Sequence, residues 1–158
     1  MAKTLLIGGS SAIASALSEN SDREFISLSR SEGTLDLDGD LNELDSVADI
    51  NGLVYFPGTI NLKPFAMLKE EDFVNDFSVN VLGAVKVLKK VINQLKEADG
   101  ASVVFISSVA ANLGLPYHAS ISAAKSALEG MSKALAAVSY THLPSPRDAT
   151  LSRMPSSA

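Results

Sequence analysis

Three polar side chains stand where chemistry could be done: Asn80, Ser108 and Lys125. Ser107 and Ser108 follow Val103-Val104-Phe105-Ile106, an apolar β-branched run that reads as a strand buried on both faces of a parallel sheet. Ligands of open α/β sheets bind outside the carboxyl ends of the strands, so two hydroxyls there are placed for chemistry. Lys125 falls in the first turns of a helix expected from Ser120 onward, with Ile121, Ala124, Leu128, Met131 and Leu135 as its apolar stripe. Asn80 lies inside the longest helical pattern, Lys69 to Lys96, which buries Phe73, Phe77, Val81, Ala84, Val85, Leu88, Val91, Ile92 and Leu95. Asn80 and Gly83 both disfavour a helix, which weighs a functional role against that of a hydrogen-bonded core asparagine.

These residues need a sheet to hold them, and the composition permits one. Of 158 residues, 46% are hydrophobic, enough for one α/β domain with a real core. The net charge of −5 without a basic run argues against nucleic acid or an anionic membrane as partner. With no cysteine and two distant histidines, neither disulfides nor a metal centre is expected. The amino terminus runs straight into a strand without the features of a signal peptide, so a cytoplasmic protein is expected.

In chain order, Thr4 to Ile7 is a first strand and Gly8-Gly9-Ser10-Ser11-Ala12-Ile13-Ala14 opens a helix to about Ser18. Such a turn can cradle a phosphate on unpaired backbone N–H groups, or can be a plain strand-to-helix connection. Phe25 to Ser29 is the second strand, ending in Ser29-Arg30-Ser31. An arginine at that point suits the extra phosphate of NADP, where an acid would suit the ribose hydroxyls of NAD; a solvated loop arginine is the alternative. Leu35-Asp36-Leu37 is taken as a third strand, so close behind the second that the usual crossover helix must be missing or reduced to a turn. A short helix within Leu41 to Ile50 precedes the fourth strand, Gly52 to Phe56, which stops at Pro57-Gly58. Gly58 either lets the backbone pass close to a ligand or is a simple turn glycine.

A strand-end serine, a short loop and a helix lysine resemble the catalytic segment of the short-chain dehydrogenase/reductase family. That family places a tyrosine thirteen positions after the serine and a lysine four beyond it; the matching residues here are Ser108, Ile121 and Lys125. The resemblance covers residues 3 to 137, and the catalytic tyrosine is replaced by Ile121. The glycine loop reads Gly8, Ala12, Ala14 against the family's three glycines, so the methyl of Ala12 crowds the pyrophosphate. Asn80-Val81-Leu82-Gly83 matches the family's Asn-x-x-Gly, and Asp36-Leu37 its adenine-facing pair. The resemblance implies a Rossmann-like doubly wound parallel sheet, truncated after its fifth strand (101 to 106) and the helix that follows. It further implies hydride transfer between NADP, rather than NAD, and a carbonyl, alcohol or enoyl substrate. The catalytic residues carried over are Asn80, Ser108 and Lys125. The cofactor would meet Gly8, Ser10, Ser11, Ala12, Ile13, Arg30, Asp36, Leu37, Gly58, Asn80 and Lys125. Ile121 can neither give nor take a proton, and Tyr117 and His118 are the nearby substitutes. His118 lies seven positions before Lys125, where the family's enoyl reductases carry their tyrosine; otherwise it is a loop residue capping backbone. A non-catalytic dinucleotide-binding protein, sensor or inactive subunit, is the alternative. Pairing through the long helices into a dimer or tetramer is implied for the full-length parent.

After Ala137 the pattern changes. Val138 to Ala158 holds three prolines and neither a helical nor a strand period. Val138-Ser139-Tyr140-Thr141-His142-Leu143 is the translation of a transposon end used in library preparation. Pro144 to Asp148 and Ser152 to Ala158 translate the adapter beyond it. Residues 138–158 are therefore expected to be non-native, a disordered tail being the alternative. The partial domain 1–137 would then lack its substrate loop and expose strand 101 to 106 as an unprotected edge.

Overall fold

The computed structural model describes residues 3–139, the last two by backbone alone. Four parallel strands form one sheet: β1 (Lys3–Ile7), β2 (Phe25–Leu28), β3 (Ile50–Tyr55) and β4 (Ser102–Phe105), in the order β2-β1-β3-β4. β1 is a continuous apolar run because it is central; Leu5, Leu6 and Ile7 are fully buried. The helices are α1 (Ala12–Glu19), α2 (Glu70–Phe77), α3 (Gly83–Glu97) and α4 (Ala119–Ser139). The chain leaves β1 toward β2 on one side and returns to β3 on the other, so order reverses beside β1. The crevice outside the ends of β1 and β3 is the place where such sheets bind ligands.

Two expectations are corrected. Leu35–Leu37 is not a strand: tight turns closed by Gly33 N–H to Arg30 O and Thr34 N–H to Ser29 O lead straight into it. With no crossover, the chain cannot come back parallel. Instead Leu35 drops into the core, and Asp36 closes a turn of its own, accepting from Asp38 N at 3.0 Å. The second correction concerns β4, expected to be buried on both faces. Val104 is 45% exposed, because β4 ends the sheet among the described residues. The expected non-native segment lies outside the described residues from Tyr140 onward; the backbone of α4 runs to Ser139.

The long helical pattern 69 to 96 is broken into α2 and α3 by a π turn at Ser78–Leu82. Gly83 N–H donates to Ser78 O, one residue farther back than an α-helical bond would reach. Val79 O, the partner that bond would have used, is thereby left for the Tyr55 hydroxyl at 2.7 Å. Tyr55 closes the end of β3 and is buried, which pushes its phenol pKa well up. A Cβ on Gly83 would lie 2.3 Å from the Tyr55 Oη, so the glycine is required by the phenol. The π turn thus locks the end of β3 to the helix that carries Asn80.

This contact generates a test. Gly83→Ala is expected to cost about 1–3 kcal/mol of stability in urea unfolding, through overpacking. In a Tyr55→Phe background the same change should be neutral, or stabilising by up to about 1 kcal/mol from helix propensity. Equal costs in both backgrounds would contradict the contact.

Candidate active site

The turn after β1 is built by Gly8, whose φ of +77° suits a residue without a side chain. Gly9 packs so closely on β2 that a Cβ would stand 1.9 Å from Ser27 Oγ. Ser11 caps α1, accepting from Ala14 N at 3.2 Å, while Ser10 Oγ lies 2.6 Å from Ser31 Oγ across the turn after β2. Ala12 and Ile13 are exposed on the first turn of α1.

A cleft of about 540 Å³ opens outside the ends of β1, β2 and β3. Its walls include Gly8, Ser10, Arg30, Ser31, Leu37, Asp38, Gly58, Thr59 and Lys86. Arg30 sits at its rim with its guanidinium on Asp38 at 2.7 Å. Lys86 of α3 reaches over to Leu37 O at 3.1 Å. Asp36 does not line this cleft, since its carboxylate closes its own turn; Leu35, Leu37 and Asp38 line it instead.

At the other side of Gly58 stand Asn80 and Lys125. A Cβ on Gly58 would lie 3.1 Å from Asn80 Oδ1 and 3.3 Å from Lys125 Nζ, so both polar atoms face one small space. Asn80 is 0% exposed, and its Oδ1 has no hydrogen-bond partner. Its Nδ2 donates twice, to Asp76 O at 2.8 Å and Thr59 Oγ1 at 3.1 Å. Lys125 is 6% exposed and donates to Ile106 O at 2.7 Å, just beyond β4. Burial lowers its pKa below the ordinary lysine value. An ammonium with unused donors and a buried amide oxygen with unused lone pairs mark a place for hydroxyl groups or water.

Ser108 follows β4 and caps a short 3-10 turn, its Oγ accepting from Ala110 N at 3.2 Å. That leaves its O–H hydrogen available to a ligand oxygen. The loop that holds it is tied to α4. Ser122 Oγ donates to Ala110 O, and Ser126 Oγ to Ala111 O at 2.9 Å. Glu129 accepts from Ser107 Oγ at 2.6 Å, which contributes most to lowering its carboxyl pKa. Ile121 is 4% exposed, one turn before Lys125 on the same helix face. Tyr117 is exposed with a φ of +65°, and the His118 Nδ1 lies 2.6 Å from Pro116 O.

The structure thus brings Gly58, Asn80 and Lys125 to one gap, and Gly8, Ser10, Arg30 and Leu37 to the adjoining cleft. Sequence reasoning missed Thr59, Asp76, Lys86 and the serines of α4. Asp76 carried a readable signal, an acid one turn before Asn80 on an apolar face. The serines carried one too, spaced at four residues along one side of α4.

The short chain dehydrogenase family model matches residues 42–142. The chain belongs to the short chain dehydrogenase family. The 3-ketodihydrosphingosine reductase of Mus musculus is 31% identical over 110 residues, covering 65% of this chain and 33% of that protein. The hydroxynaphthalene reductase of Aspergillus fumigatus is 33% identical over 94 residues, or 60% of this chain and 32% of that protein. The chain thus spans about a third of the length of these curated relatives. A short-chain dehydrogenase from Streptomyces avermitilis superposes with a TM-score of 0.78 at 24% identity, over 90% of this chain and 63% of that one. A small-chain dehydrogenase in complex with NADPH superposes with a TM-score of 0.73 at 21% identity, over 85% and 64%. These likenesses show the fold. No helix among the described residues is long and apolar enough to cross a membrane.

The buried ammonium yields a pH test. Because the folded-state pKa of Lys125 is lowered, the unfolded chain binds more protons between that value and the ordinary 10.5. Stability contributed by this group therefore rises with pH through that window, by at most about 1.4 kcal/mol per pH unit. Urea unfolding across that range should show wild type gaining on Lys125→Met. A pH-independent difference would mean the ammonium is not desolvated.

Proposed function

We propose that this chain is the dinucleotide-binding part of an oxidoreductase that transfers hydride between NADP and a carbonyl, alcohol or enoyl carbon. The observation that carries the reading is the gap at Gly58, where the partnerless Asn80 Oδ1 and the Lys125 ammonium converge. The residues fit the cofactor: a glycine turn at a helix start, an apolar wall from Leu37 and Leu82, and cationic groups at Arg30 and Lys86. When bound, NADPH supplies the hydride.

The chain's own groups then divide the work. Gly8 and the N–H groups at the start of α1 receive phosphate, and Arg30 leaves Asp38 for the additional phosphate of NADP. Lys125 donates to ribose hydroxyls, and Asn80 Oδ1 accepts from a water that shares the gap. Ser108 donates its O–H to the substrate oxygen. The proton step has no group at Ile121, and loss of a positioned acid forfeits about 10²- to 10⁴-fold in rate. That buried isoleucine favours a second reading, a non-catalytic dinucleotide-binding subunit or sensor.

The full-length parent is read as a dimer or tetramer paired through its long helices, as the family resemblance implies. Val138–Ala158 is read as translated adapter, on the codon match described above. The family match itself runs on to residue 142, inside that segment. Reading unamplified source DNA across the Ala137 codon tests this: native codons for 138–158 would sink it.

Binding and turnover are to be measured separately. In calorimetry, Arg30→Ala is expected to weaken NADPH by about tenfold, or ~1.4 kcal/mol, and NADH little. A parent that oxidises NADPH slowly with ketones should gain about 10²-fold or more from Ile121→Tyr. Tight NADPH binding with no oxidation by any carbonyl or enoyl compound would leave the non-catalytic reading. Absence of NADPH binding would overturn both.

A further inference from the structure

Asp76 is a carboxylic acid at 0% exposure, inside α2 and one turn before Asn80. Its Oδ1 accepts from the Thr59 hydroxyl and from Asn61 Nδ2 at 2.9 Å. Thr59 Oγ1 in turn accepts from Asn80 Nδ2 at 3.1 Å. The polarity of this chain is anchored at the backbone carbonyl of Asp76, which can only accept, so the group of Asn80 that faces it is the amide nitrogen. The single hydroxyl hydrogen of Thr59 goes to Asp76 Oδ1, while Asp76 Oδ2 has no hydrogen-bond partner. Thr59 can then only accept from residue 80, and only an N–H of Asn80 can supply it. The second N–H is taken by Asp76 O at 2.8 Å. Both amide hydrogens being held, Oδ1 must turn toward Gly58 and Lys125.

We infer that Asp76, acting through Thr59, is a positioning residue that sets the amide of Asn80 with its oxygen facing the Lys125 gap. A flipped amide would present two N–H donors to an ammonium, with no acceptor between them, and would leave Thr59 facing a carbonyl it has no hydrogen to serve. The inference rests on the proposed dinucleotide site for its consequence. Its geometry does not depend on that site.

The test follows hydrogen exchange of the Asn80 side-chain amide in asparagine-labelled protein, assigned by its loss in Asn80→Ser. In wild type both hydrogens are expected to be protected. In Thr59→Val one or both should exchange at least tenfold faster, and in Thr59→Ser protection should return. If Thr59→Val does not fold, Thr59→Ala removes the same hydroxyl without the branched methyl. Unchanged protection in the folded hydroxyl-free variant overturns the inference, as does equal loss in Thr59→Ser. A merely structural role would lower the unfolding midpoint without altering exchange at Asn80 alone. NADPH titration forms the second arm, with affinity expected to fall about tenfold in Thr59→Val and to recover in Thr59→Ser. If wild type binds no NADPH, the dinucleotide reading fails and the exchange result still decides whether the Thr59 hydroxyl, through which Asp76 acts, holds the amide.

Discussion

The site depends on one displaced backbone hydrogen bond. Because Gly83 N–H reaches back to Ser78 O, the carbonyl of Val79 is left for Tyr55, and the end of β3 is fastened to the helix beside it. A regular α-helix through Ser78–Leu82 would leave the phenol of Tyr55 buried without that acceptor, at a penalty of about 1–3 kcal/mol. It would also rotate Asn80 away from its present bearing, since one extra residue per turn shifts every side chain that follows. The π turn therefore joins two demands, a closed strand end and an inward amide, and it uses a glycine where a methyl group would collide.

Around that fixed point the remaining groups are held from several directions. Lys125 arrives on α4 and is pinned by the Ile106 carbonyl, so strand end and helix are coupled through an ammonium taken out of water. Ser108 is carried by a loop that Ser122, Ser126 and Glu129 of α4 tie down. The cleft side is softer, with Arg30 and Asp38 paired in solvent, where such an ion pair contributes little. Rigidity is concentrated where the reacting end of a ligand would lie, and adjustable charge where its phosphate would.

Much of this was legible in the residues. The apolar run of β1, the helix start at Ala12 and the amphipathic stripe of α4 follow from periodicity and capping. Asn80, Ser108 and Lys125 stood out because polar groups at strand ends and in apolar helices need a reason. Leu35–Leu37 misled because the family resemblance put a third strand there, whereas the six residues between β2 and Leu35 leave no room for a crossover. Residue 36 was given to the cofactor by resemblance; its carboxylate accepts from Asp38 N, a turn that local spacing sets. The burial of β4 was overread because an apolar run does not say how far each face of an edge strand is covered. Thr59 was missed because its partner Asp76 lies seventeen residues away, which no local pattern carries; Asp76 itself shows as an acid on an apolar helix face, but not whom it meets.

The most direct measurement is a high-resolution crystal structure of this chain grown without cofactor. The account requires density for a water within hydrogen-bond distance of both Asn80 Oδ1 and Lys125 Nζ, in the space beside Gly58. A dry gap, or a lysine turned out to solvent with Asn80 Oδ1 satisfied by protein alone, would contradict it.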